Sequence, residues 1–257
     1  MEEHDLCKVR KFLKDYWLTF VVVVGIILLY VYISTSKIFG SMMFPEVSAI
    51  STTFWESRDT MLLNLVSSIK LLIPSVFITT AVALIIGIIL GMNSFLRKAL
   101  HPIIYAFSCV PSILLSPFAV MISGNFVVAC IFLIFYGTVW ATLFATITGI
   151  ETIDKRYLDN AKTLELSGIK LMFKVILPAA SPSIIGGFVN SLRSSFVMLV
   201  FAEMYGAKYG LGYYVKKYSD YGLYNNVWAG FLFMVLILVG VMQAFEQIKK
   251  YLLKWTA

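Results

Sequence analysis

The chain has 257 residues, 60% hydrophobic and 14% charged, with a mean hydropathy of +0.86. A soluble domain carries roughly 45–50% apolar and about 25% charged residues, so the composition excludes an ordinary water-soluble domain and indicates an integral membrane protein. The net charge of +7 then reads as anchoring to anionic lipid on the cytoplasmic side, not as a nucleic-acid surface.

A membrane-crossing helix needs about 20 mostly apolar residues, and six segments qualify. The first, Trp17 to Thr35, follows the basic stretch "KVRKFLK" and has no small-residue cleavage site, so it reads as a retained anchor. The second is Leu71 to Met92. Its Gly87 and Gly91 form a G-x-x-x-G pair suited to close helix packing. The third, His101 to Ile122, contains Pro111 and Pro117, which either only kink it or let it border a transport path. Phe126 to Ile150 is the fourth, Ser181 to Met204 the fifth and Val227 to Gln247 the sixth. Cys7, Cys109 and Cys130 lack CxxC spacing, and the last two lie in apolar runs, so they read as packing residues.

Lys and Arg orient the spans, because positive loops stay cytoplasmic. With both termini inside, 14 Lys and Arg fall on the inner side and six on the outer, leaving Arg193 within a span. Residues 151–178 are then cytoplasmic, whereas 36–66 and 206–226 lie outside. Lys216 and Lys217 make the last outer loop basic as well.

Within the inner segment, Leu158, Ala161, Leu164 and Leu166, then Ile169, Met172, Phe173 and Ile176, recur at three- and four-residue steps. Asp159, Lys162, Lys170 and Lys174 stand between them. This is the rhythm of short amphipathic helices, with a break at Ser167-Gly168 and a stop at Pro178 before the next span. The apolar face needs a cover: lipid headgroups, the protein's own bundle or another protein.

At this point the sequence resembles a known family. The permease subunits of ATP-binding-cassette importers carry in their last long cytoplasmic loop a motif of E-A-A, three residues, G, nine residues, I, one residue, L-P. Here Asp159-Asn160-Ala161 stands at E-A-A, Val175 at the Ile, and Leu177-Pro178 closes the motif. Glu165 occupies the Gly position, with Gly168 three residues on, which points to a turn re-formed downstream. Three further stretches are similar to the nitrate, sulfonate and taurine branch: Ser67 to Met92, Val110 to Gly124 and Leu199 to Val215. The last carries A-E-x-x-G followed by G-L-G.

The resemblance implies an all-α, six-span type I importer permease. Residues 1–66 supply an N-terminal segment, first span and outer loop, 67–247 a five-span core with the coupling loop at 151–178, and 248–257 a cytoplasmic tail. It implies a separate ATPase that uses the ATP, an extracytoplasmic solute-binding protein, a permease homodimer and a cell-membrane location. It implies no catalytic residue, metal or cofactor in this subunit, and the chain contains no G-x-x-x-x-G-K-[ST] phosphate loop. Asp159, Ala161, Leu164, Gly168, Ile169, Leu177 and Pro178 would couple to the ATPase.

Asn190 and Arg193 are the costliest placements. They fall near the middle of the fifth span, three apart on one face, and a central Arg costs about 2.5–3.5 kcal/mol on insertion scales. Either they border a translocation path with Pro111 and Pro117, or Arg193 snorkels to the membrane edge. A channel or ion-coupled transporter without an ATPase is the alternative function. An intramembrane enzyme is disfavoured, since the two histidines, His4 and His101, lie outside the span interiors and no Asp falls in a span.

Overall fold

The computed structural model describes residues 2–36 and 43–254, the first helix by backbone alone as far as residue 16. Eleven α-helices are present among the described residues, and no strand. Five helical runs are long and apolar enough to cross a membrane: Trp17–Ser36, Arg58–Met92, Phe126–Glu151, Gly168–Met204 and Tyr224–Leu252. A bent pair completes a sixth crossing.

The core is a three-helix unit built on small residues. Helices α3 (Arg58–Met92), α6 (Phe126–Glu151) and α9 (Leu177–Met204) pack with α6 in the middle. A Cβ added at Gly87 would stand 2.7 Å from the Cβ of Thr146, and one at Gly91 would stand 2.9 Å from that of Ile150, so the α3–α6 approach depends on both glycines. This bears out the packing reading of the G-x-x-x-G pair. On the other side of α6, Ser183 donates to the Ala145 carbonyl at 2.8 Å and Ser191 to the Thr138 carbonyl at 2.7 Å. Hydroxyls bonded to carbonyls across a helix pair satisfy their own polarity and tie the backbones together.

Two expectations are corrected here. The second span starts at Arg58, not Leu71, because the polar stretch of 58–70 continues as helix and turns Asn64 and Ser68 inward to partners described below. The third span is not a kinked helix but two helices, α4 (Ser94–Ser108) and α5 (Ser116–Ser123), with a 3₁₀ turn at Ser112–Leu115 between them and a bend of 77°. Pro111 supplies an extended residue (φ −64°, ψ 125°) before that turn. Pro117 sits in the first turn of α5, where its missing N–H costs no bond. Gly124 then ends α5 in the left-handed conformation (φ +58°), and the Asn125 side chain accepts from the Val127 and Val128 amides to start α6.

At one end of the bundle Arg97 ties three elements. Its guanidinium meets Glu151 of α6 at 2.8 Å and donates to the Leu90 and Gly91 carbonyls at the C-terminus of α3. A cation there matches the negative end of the helix dipole. At the opposite end, helix α1 (Glu2–Ser36) docks through Tyr30 and Ser34, both donating to the Pro45 carbonyl, while the Tyr30 ring meets Trp228 edge-on at 4.9 Å. The outer loop expected at 36–66 is therefore largely helical, as α2 (Val47–Glu56) and the start of α3, and its residues 37–42 lie outside the described residues.

Candidate functional site

The loop expected to couple to an ATPase begins at α7 (Lys155–Thr163), capped by the Asp154 carboxylate, which accepts from the Arg156 amide at 2.9 Å. Leu158 packs against the α6–α9 junction around Ile150, Ile176 and Ala180, and Ala161 is buried, only 2% exposed. Asp159 and Lys162, 2.9 Å apart, form an exposed pair on the outer face.

The helix then closes in a Schellman turn. The Leu166 amide donates to Ala161 O at 2.9 Å and the Glu165 amide to Lys162 O at 3.0 Å, the two bonds that define this motif. Its apex is Glu165 itself, at φ +52°, the one described non-glycine residue with positive φ. The turn is therefore not moved to Gly168. Glutamate adopts at position 165 the left-handed conformation for which the resembled motif uses glycine. Gly168, at φ +56°, makes a second break three residues later, where Ser167 is extended.

Beyond it, α8 (Gly168–Leu171), a π turn at Met172–Ile176 and α9 form one helical run. Pro178 was expected to stop the helix, and here the correction has a physical cause. Proline crowds the carbonyl four residues back and has no N–H to offer it. The π turn widens the ring just before it, with the Leu177 amide reaching Met172 O. Leu177 is half-buried and Pro178 exposed.

The expected single apolar face is thus divided. Leu158, Ala161 and Ile176 belong to the protein's own core, whereas Leu164 (70% exposed), Ile169 (74%) and Phe173 (60%) face away from it. Tyr157, 55% exposed and seven residues before Leu164, joins that outward set. Sequence reasoning passed over it because its hydroxyl breaks the apolar rhythm. Leaving several large apolar side chains uncovered on a helix otherwise rich in charge marks a contact surface.

A second feature sits where the third span breaks. A cavity of about 360 Å³ is lined by Cys109, Pro111 and Ser112 from the break, Trp140 of α6, and Ser194 and Val197 of α9. The indole Nε1 of Trp140 is buried without a hydrogen-bond partner among the described residues. Gly137 makes room for the Ser112 hydroxyl, which bonds Met198 Sδ at 2.7 Å. Irregular backbone at membrane depth is tolerated only where protein buries it or where it lines a wet cavity.

The structure brings Pro111 into this cavity but not the other three residues proposed for a path. Asn190 and Arg193 are exposed on α9, and Arg193 lines a separate groove of about 480 Å³ with Val239, Gln243 and Glu246 of α11 (Tyr224–Leu252). Pro117 lies exposed on α5. Ser194 and Trp140 were missed because neither a serine nor a tryptophan is costly in a span, so no energetic signal singled them out.

The fold and the sequence both have known counterparts. A chain of the inward-facing MetNI methionine ABC transporter superposes with a TM-score of 0.62 at 18% identity, covering 75% of this chain and 97% of that one. The putative aliphatic sulfonates transport permease of Bacillus subtilis is 30% identical over 67% of this chain and 62% of its own length. The nitrate import permease of Synechococcus elongatus is 27% identical over 60% and 55% respectively. The chain thus spans somewhat over half the length of these relatives. Residues 83–256 match the family of binding-protein-dependent transport system inner membrane components, and the chain belongs to that family.

Proposed function

We propose that the chain is the membrane-spanning subunit of an ATP-driven importer that moves a small polar or anionic solute, such as nitrate, an aliphatic sulfonate or taurine, into the cell. The observation that carries the reading is the coupling loop: a Schellman-closed turn with Leu164 uncovered, then, after the break at Ser167-Gly168, one helical run that carries the uncovered Ile169 and continues into the span that walls the cavity. Burying a Leu, Ile or Phe side chain is worth about 1.5–3 kcal/mol, so a groove on an ATPase subunit would hold this surface well. ATP is bound and used by that partner. This subunit carries no catalytic residue, metal or cofactor of its own. Nucleotide drives transport through its differential affinity for two states of the assembly, and the loop converts that difference into movement of α9.

A second copy of the chain completes the path, and an extracytoplasmic binding protein delivers cargo. The Lys and Arg distribution supports a cell-membrane orientation with both termini and residues 151–178 in the cytoplasm. Leu164→Arg or Ile169→Arg should insert normally yet lose the co-purifying ATPase, because a desolvated charge costs several kcal/mol in an apolar groove. Ala161, expected among the coupling residues, is internal and would not report on docking. Wild-type recovery of the ATPase with both variants would sink the proposal. Cysteines introduced at Ser51 and Ser219 should react with an impermeant thiol reagent in intact cells, and one at Lys170 should not.

A further inference from the structure

Helix α10 (Leu211–Asp220) begins without a cap of its own: Gly210 precedes it, and no side chain of α10 bonds its first turn. Yet its three leading amides are all satisfied, each by a residue of another helix. Gly210 N–H donates to Asn64 Oδ1 at 2.8 Å, Leu211 N–H to Ser68 Oγ at 2.9 Å, and Gly212 N–H to Glu203 Oε2 at 2.8 Å. Asn64 and Ser68 belong to α3 and Glu203 to the last turn of α9. The Glu203 side chain is 1% exposed.

Glycine makes the arrangement possible. A Cβ on Gly210, at φ +122°, would run into the Glu203 carboxylate, and one on Gly212 would meet the Val200 carbonyl and the Glu203 Cβ. The A-E-x-x-G…G-L-G pattern thereby acquires a physical meaning: an acid and two glycines that close on it. Glu203 meets the chain that follows it twice, at Gly212 through its carboxylate and at Ala207, inside loop 204–209, through its carbonyl, which accepts at 3.2 Å. The loop exposes Tyr205, Lys208 and Tyr209. Helix α10 is further seated by Leu211 and Tyr214 against Met61 and Phe233.

We propose that Glu203 is a positioning residue that clamps loop 204–209 and α10 onto α9, so that a contact made on the loop is delivered to α9 as movement of one rigid body. Helix α9 spans about 40 Å at 1.5 Å per residue, and its other end continues without a break into the π turn and α8. The clamp thus joins the surface opposite the coupling loop to the coupling loop itself. This transmission rests on the importer reading above, in which a binding protein docks on that surface.

The test uses a nitroxide on Tyr209→Cys, in a background lacking Cys7, Cys109 and Cys130, with the assembled transporter in nanodiscs. The label should be immobile with Glu203 intact and with Glu203→Gln, whose amide oxygen still accepts from Gly212, and mobile in Glu203→Ala. Unlabelled Glu203→Ala should retain its ATPase subunit and basal hydrolysis, while stimulation of hydrolysis by the binding protein falls by about tenfold. Glu203→Gln should keep it. Should Glu203→Ala fail to assemble, Ser68→Ala, which removes one acceptor, carries the same comparison with smaller effects. A label equally immobile in Glu203→Ala overturns the clamp, and a loosened label with full stimulation overturns the transmission. Absence of any ATPase in the wild-type assembly would instead refute the importer reading, with the label still reporting on the clamp.

Discussion

The most direct perturbation of the coupling turn is Glu165→Gly. Glutamate at φ +52° bears the steric penalty of a Cβ in the left-handed region, about 1–2 kcal/mol. Glycine escapes it but gives back about 0.5–1 kcal/mol through its freer unfolded chain. The Glu165 side chain is exposed and has no hydrogen bond or ion pair among the described residues, so its removal loses no contact. The turn should therefore close more firmly by roughly 0.5–1 kcal/mol, a factor of about two to five in population. The Leu166 amide reports this directly, because its bond to Ala161 O exists only while the turn is closed. Hydrogen exchange in fragments covering 164–171 should slow by that factor in Glu165→Gly. Glu165→Ala, which removes the charge but keeps a Cβ, should exchange like wild type, and Glu165→Val faster. If Ala slows exchange as much as Gly does, charge and not backbone conformation governs the turn, and the reasoning fails.

Neighbouring glycines should respond with opposite signs. Gly186→Ala meets open space and should gain up to about 1 kcal/mol from helix propensity, while Gly187→Ala runs into Ala145 and the Ala141 carbonyl and should lose about 1–3 kcal/mol. Thermal unfolding in detergent would resolve them, at about 2–4 °C per kcal/mol for a chain of this size. Arg97→Met should cost about 2 kcal/mol, since it breaks the Glu151 pair and uncaps α3, with Arg97→Lys recovering part; equal melting of all three would contradict the capping role. Arg193→Leu should insert at least as well as wild type and still bind the ATPase, but solute uptake should fall, with Arg193→Lys retaining more. Unchanged uptake in Arg193→Leu would remove Arg193 from the path.

How much of this was legible beforehand depended on whether the cause was local. Six apolar crossings follow from the length of each run, and the Gly87–Gly91 contact from spacing alone. The start of α3 was misplaced because residues 58–70 read as too polar for lipid. Their polarity has a different use, since Asn64 and Ser68 cap a helix more than 140 residues away in the chain. Pro111 announced an irregularity, but a kink and a 77° break share the same prolines. What separates them is tertiary: the Ser112–Met198 contact and the room at Gly137. Periodicity likewise found the amphipathic rhythm of the coupling loop without showing which apolar residues its own bundle would take. Ala161 and Leu164 look equivalent in the pattern, yet one is core and the other uncovered. Glu203 gave no local signal, because its side-chain partner, the Gly212 amide, lies on another element.

The distribution of contacts also constrains how the molecule can move. Helix α6 lies so close to α3 and α9 that side chains larger than those present would clash on either side. Interfaces packed this tightly resist sliding, so α3, α6 and α9 act as one body, with Arg97 tying α3 to α6 at one end and the cap on α10 tying α3 to α9 at the other. Helix α4 has no fully buried residue, and the Trp17–Ser36 stretch of α1 is only 6% buried. Helix α4 is fastened to the three-helix body near its start by Arg97 and near its end by the Tyr136 hydroxyl, which donates to the Phe107 carbonyl at 2.7 Å, while α1 docks on Pro45 and Trp228. The cavity lies between this unit, which supplies Trp140 and Ser194, and the bend of the third span, which supplies Cys109 to Ser112. Rocking of the unit against the span would change the cavity's width without separating any of the glycine contacts in the core. In the importer proposed above, such a division would let the three-helix unit carry force without deforming while the bend of the third span yields to admit the solute.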